Sequence, residues 1–126
     1  MRAVVIVAAV LFISACAHSN QQGQTSLAEM AASNQSKLMQ LSVGMTKSDV
    51  LSVMGSETAT TRDGIVNNPW TVETAMGNDG VQCEALYYLT RKNQPFTPVR
   101  KSLTTPVVIK NGQVVGWGEA ALQRCK

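Results

Sequence analysis

The first hydrophobic stretch is unbroken: Ala3 to Ile13 are all apolar, preceded by Met1 and Arg2. It has the length of an export-signal core and is too short to cross a bilayer as a stable helix. From Ala17 to about Ser36 the chain is rich in Ser, Asn, Gln and Ala, a composition that buries little and predicts a tether. Residues 27–41 overlap the end of this stretch, and their helix formers predict a helix docked on the body. Confident order is expected from about Leu41. Thr46 and Asp49 have the spacing of a capping box, and Met45 and Val50 that of a hydrophobic staple. Val50, Leu51 and Met54 then predict one apolar helix face, and Gly55 a left-handed stop.

After that helix the period changes to two. Trp70, Val72, Thr74 and Met76 alternate with Thr71, Glu73 and Ala75, which predicts a strand, and Asn78-Asp79-Gly80 is a turn. A second strand is expected from Val81 to about Thr90. Residues 91–104 form a long loop with Pro95 and Pro98. The last hairpin is predicted from Thr105-Lys110, Asn111-Gly112 and Gln113-Gly118, because Asn-Gly between apolar runs favours a type I′ turn. That turn sets Ile109 opposite Val114 and Val108 opposite Val115. Trp117, Val115 and Val108 are expected on one face, with Ile109, Val114 and Val107 on the other. Apolar residues on both faces imply a sheet covered twice or a patch for a partner. The expected fold class is α+β, one or two N-terminal helices on a three- to four-stranded antiparallel sheet.

Charge changes this picture little. The formal net charge is +3, with Lys+Arg 11 against Asp+Glu 8, too mild for a nucleic-acid binder. Its distribution is more informative, because Arg91, Lys92, Arg100 and Lys101 bracket the long loop. They are candidates for contact with an acidic protein surface or anionic lipid headgroups; the competing reading is a solvated charged loop.

Candidate chemistry is sparse. The one histidine, His18, lies in the predicted tether, whereas nucleophilic hydrolases need a base beside the nucleophile. Asp63, Glu73, Asp79 and Glu84 are dispersed, with no metal-ligand spacing. No catalytic residue, metal ligand or cofactor is therefore assigned, and an enzyme is not expected. Of three cysteines, Cys83 and Cys125 remain for a pair once Cys16 is set aside. A disulfide between them would close a loop of roughly 40 residues and stabilise by about 4 kcal/mol on a chain-entropy estimate; a redox or metal role lacks the CxxC spacing.

Cys16 is set aside because Ile13-Ser14-Ala15-Cys16 resembles the bacterial lipobox, in which the cysteine receives acyl chains after the preceding signal is removed. That resemblance divides the chain into a signal peptide at 1–15, a lipidated cysteine and tether at 16–40, and a domain at 41–126. Ala17 follows the cysteine in place of the aspartate that marks inner-membrane retention, which implies the outer membrane, periplasmic face.

Two further stretches carry a family resemblance. Gly44-Met45-Thr46, Asp49-Val50 and Met54-Gly55 resemble the opening helix of small outer-membrane lipoproteins of the SmpA/OmlA (BamE-like) superfamily. Thr105 to Gly118 is similar to the last hairpin of uncharacterised relatives, and the Cys83 and Cys125 pair is OsmE-like. The resemblance covers about residues 41–118, with Glu57 where the family often has proline. It implies a BamE-like or BLIP-like layer of helices on a sheet. It also implies an envelope scaffold or adaptor, with the outer membrane and an envelope protein (the β-barrel assembly machinery being one) as partners. The other reading is a periplasmic inhibitor or immunity protein, its basic loop entering the acidic cleft of a cell-wall hydrolase. Partner-binding candidates are Arg91, Lys92, Arg100, Lys101, Val108, Val115 and Trp117.

Overall fold

The computed structural model describes residues 25–92 and 97–126. The expected docked helix forms as α1, Leu27–Leu38. Ser26 caps it reciprocally: Glu29 N–H donates to Ser26 Oγ at 3.2 Å, and Ser26 N–H to Glu29 Oε2 at 2.9 Å. Met30, Ala31, Asn34 and Leu38 make its buried stripe. The folded body therefore includes α1, which lies before the boundary expected near residue 41.

Helix α2 is Lys47–Met54, with Thr46 and Asp49 closing the second capping box and Gly55 in a left-handed stop at φ 73°. Val50 and Met54 are buried and Met45 packs beside them, but Leu51 is 40% exposed. One sequence position therefore leaves the expected apolar face. A small hairpin follows, β1 (Ala59–Thr61) with β2 (Gly64–Val66), turning through Arg62 and Asp63. Pattern reading did not anticipate it, since three-residue strands are too short to show a period.

The main sheet is an antiparallel meander in the order β3 (Thr71–Met76), β4 (Gln82–Leu89), β5 (Thr104–Lys110) and β6 (Gln113–Trp117). A short 3-10 turn, Lys101–Leu103, precedes β5, and helix α3, Glu119–Gln123, closes the chain. Asn111 and Gly112 both have positive φ (52° and 73°), as a type I′ turn requires.

The hairpin register differs from expectation at one place. Ile109 does face Val114, but Val108 pairs with Gly116 and Val107 with Trp117, because a bulge inserts Val115 as an extra residue. Trp117 is thereby moved to the face of Val107, Ile109 and Val114, away from Val108. Gly116 sits at φ 153°, and a Cβ there would lie 3.0 Å from that of Ala121, so glycine lets α3 close over the bulge.

Both sheet faces are covered. On one, Leu38, Leu41, Val50 and Met54 pack on Leu86, Tyr88, Val107, Ile109 and Val114, with Trp117 beside them. On the other, Cys83, Val108, Ala121 and Cys125 form a smaller cluster under α3. Cys83 and Cys125 are joined as a disulfide, Cα–Cα 5.8 Å, which fastens the end of α3 to β4. The sheet edges differ. Gly44 N–H donates to Val114 O at 2.8 Å and Val114 N–H to Met45 O at 2.7 Å, so the strap before α2 covers the edge of β6. Among the described residues no strand lies beside the outer edge of β3.

A buried polar knot locks the helices to the sheet. Asn34 Nδ2 donates to Asn68 Oδ1 (2.9 Å) and to Leu89 O (2.8 Å); Asn68 Nδ2 donates to Asn34 Oδ1 (3.0 Å) and to Met54 O (3.2 Å). Both side chains are almost fully buried. The two amides satisfy each other and the carbonyls of Leu89 and Met54, the second, at the C-terminal end of α2, being shared with Lys37 Nζ at 3.2 Å.

Candidate functional site: the basic end of the sheet

The start of α1, the β1–β2 hairpin and the chain on either side of the long loop meet at one end of the molecule. Met30, Ala31, Ala59, Val66 and Leu89 form a buried cluster there, with Leu27, Trp70, Val99 and Leu103 packed against it. A shallow groove of about 210 Å³ opens at this end, lined among others by Leu27, Ile65, Trp70, Pro98 and Val99. Ile65 is 68% exposed on the hairpin.

Around this end the basic side chains expected to matter are arranged unequally. Arg91 and Lys92 follow directly on β4, and Arg100 precedes the 3-10 turn; all three are exposed, and none makes an ion pair among the described residues. Arg91 N–H and Thr90 N–H both donate to Leu103 O at 3.0 Å, which holds the two sides of the loop together. Lys101 is different. Its ammonium pairs with Glu73 on β3 and lies 4.9 Å from the centre of the Tyr87 ring. The hydrogen bond from Lys101 holds the Glu73 carboxyl below the usual range, and the same bond raises the Lys101 ammonium. Burial, then the Glu73 charge, pushes the Tyr87 hydroxyl up. Lys101 thus braces β3 against the start of β5, and three cations are left facing outward. Arg62, exposed in the hairpin turn, adds a fourth at the same end, with Asp63 beside it. Sequence reading did not single out Arg62; the Asp63-Gly64 dipeptide was the available turn signal.

The apolar candidates do not join this surface. Val108 is fully buried beneath α3, with Val115 packed at the same cluster, so Val108 is a core residue and not part of a docking patch. Trp117 is half-buried on the opposite face. The expected grouping of Val108, Val115 and Trp117 fails because the bulge separates the tryptophan from the two valines. Cys16 lies outside the described residues. Among the described residues there is no cluster of three or more His, Cys, Asp or Glu side chains, and no helix long and apolar enough to cross a membrane.

These features define a class: a small α+β domain with a four-stranded antiparallel meander, helices over both faces, one disulfide and a cationic end where the chain enters from its N-terminal segment. The chain belongs to the family described as protein of unknown function (DUF3192), which matches residues 7–124. No curated protein and no solved structure matches it.

Proposed function

We propose that this protein is a lipid-anchored adaptor of the bacterial cell envelope. On this reading Cys16 carries the acyl chains, residues 17–25 are the tether, and the body stands at the periplasmic face of the outer membrane. The observation that carries the proposal is the order Met1-Arg2, Ala3 to Ile13, Ile13-Ser14-Ala15-Cys16, followed by a body whose first capped helix among the described residues is Leu27–Leu38. The family match begins inside the apolar run and continues through Cys16, which supports treating that segment as part of the protein's design. Several acyl chains hold firmly where one is marginal, since each buried CH₂ contributes about 0.8 kcal/mol.

Arg91, Lys92 and Arg100 are the partner-facing groups in this proposal. They are exposed, carry no internal counter-ion among the described residues, and sit at the end through which the tether enters. Lys101 serves the body instead, and no enzymatic step is assigned.

The test has two arms. Intact-mass analysis of the protein from a Gram-negative host should show an N-terminal acylated Cys16, and Cys16→Ser should release the folded body from the outer-membrane fraction. Photo-crosslinking from positions 91, 92 and 100 in cells should then trap an outer-membrane or envelope-assembly protein. An unprocessed or unacylated N-terminus overturns the anchor. Trapping a soluble cell-wall hydrolase that binds equally well without the lipid overturns the adaptor in favour of the inhibitor reading.

A further inference from the structure

The outer edge of β3 has a pattern that fits a second copy of itself. Gly77 N–H donates to Val81 O at 2.9 Å, continuing the register that pairs Ala75 with Cys83, Glu73 with Ala85 and Thr71 with Tyr87. Odd-numbered residues therefore turn their N–H and C=O groups toward β4, and Val72, Thr74 and Met76 turn theirs outward. Nothing usual blocks this edge: Thr71–Met76 contains no proline, lysine or bulge. Val72 is 45% and Met76 68% exposed.

We propose that two copies pair antiparallel through β3, about a two-fold axis at Thr74, into one eight-stranded sheet. A register centred on a residue, rather than between two, keeps equivalent faces together and matches outward groups with outward groups. With the axis at Thr74 all three outward residues are used: Thr74 meets Thr74 of the second copy, and Val72 meets Met76 of the second copy, twice. The two most exposed apolar side chains of the strand thus cover each other, and the threonines form a favourable like pair at the axis. Charge agrees. Glu73, the strand's one charged residue, falls opposite Ala75, and its own Lys101 already neutralises it. The β6 edge offers no such site, because residues 44–46 occupy it. The pairing does not depend on the proposed function, although a shared membrane tether would raise the effective concentration of copies.

The experiment uses the full chain in detergent micelles, with sedimentation equilibrium across a range of concentrations and residue-resolved amide exchange. The expected result is a dimer that dissociates on dilution, with concentration-dependent protection of the Val72, Thr74 and Met76 amides. Glu73 and Ala75 should be protected at every concentration, because β4 already binds them. Thr74→Pro removes an N–H that points away from β4 and should weaken the dimer roughly tenfold or more with the circular dichroism unchanged. Should that variant fold poorly, Val72→Glu and Met76→Lys supply the check. Each alone should dissociate, and the mixture should form a heterodimer, because only this register sets position 72 against position 76. A monomer at all concentrations, a dimer indifferent to these changes, or failure of the mixture to re-form overturns the proposal.

Discussion

Replacing Asn34 with alanine tests whether the amide knot is what fixes α1 on the body. Asn34 makes three hydrogen bonds at 2.8, 2.9 and 3.0 Å, to Leu89 O and to both polar atoms of the Asn68 amide. At about 1 kcal/mol net each, the direct loss is about 3 kcal/mol. The substitution also leaves Leu89 O and much of the Asn68 amide buried without partners, which adds to the cost. A total of roughly 3–4 kcal/mol is a large share of the 5–15 kcal/mol typical of a domain. For a body of this size it corresponds to a fall in Tm on the order of 15–25 °C. Urea unfolding followed by the fluorescence of Trp70 and Trp117 gives the number, since the two lie in different clusters and together report on both ends of the core. The companion measurement is a double-mutant cycle with Asn68→Ala. Because the two amides mainly satisfy each other, the second removal should cost about 2 kcal/mol less than it does alone. A loss below about 1 kcal/mol for Asn34→Ala, or strict additivity in the cycle, would refute the reasoning.

Tyr88 makes the opposite prediction. It is fully buried and its hydroxyl has no partner among the described residues, so Tyr88→Phe should stabilise by about 1 kcal/mol, read from the same urea curves. Burial pushes its hydroxyl up to about 12 from the ordinary 10. The folded state then holds a proton that the unfolded state releases first. The contribution of this bound proton to folding is complete below pH 10 and is lost as pH rises toward 12; absorbance titration should show both tyrosines ionising late, since Tyr87 is raised as well, and the one near 12 should disappear in Tyr88→Phe. Replacing Cys83 and Cys125 together by serine opens a link of sequence separation 42 and should cost about 4 kcal/mol by equilibrium unfolding, with the four-stranded sheet retained in mild conditions. Lys101→Met should return the Glu73 carboxyl toward its ordinary range in an NMR pH titration, because the hydrogen bond from Lys101 is the main cause that lowers it.

What the sequence made legible follows the strength of local signals. Thr46, Asp49 and Gly55 mark both ends of α2, and Asn111-Gly112 marks a turn, because caps and tight turns are set by residues next to each other. The α+β class and the meander follow from those marks and the change of period. The bulge was not legible. Val114, Val115, Gly116 and Trp117 read equally well as plain alternation, and only the close approach of α3 to Gly116 selects the shifted pairing. Asn34 was hidden for another reason: one amide in a run of Ser, Asn and Gln is indistinguishable from its solvated neighbours until Asn68 is placed opposite it. Of the candidate site, the bracket of basic residues was visible, but the withdrawal of Lys101 toward Glu73 and the addition of Arg62 depend on contacts across the fold.

The disulfide has a consequence for how firmly the second face of the sheet is closed. Helix α3 has five residues, far too few to persist alone; Ala121, Leu122 and the hydrogen bond from Arg124 Nη1 to Val115 O hold it over Val108 and Val115 together with the bond from Cys125 to Cys83. With the bond reduced, the meander would keep its own pairings while α3 lies more loosely over Val108 and Val115. Oxidation then acts as a latch on α3, tying it to β4 across the two strands that separate them in sequence. A reduced copy would offer that loosened face to a protease or chaperone, whereas an oxidised copy would be sealed.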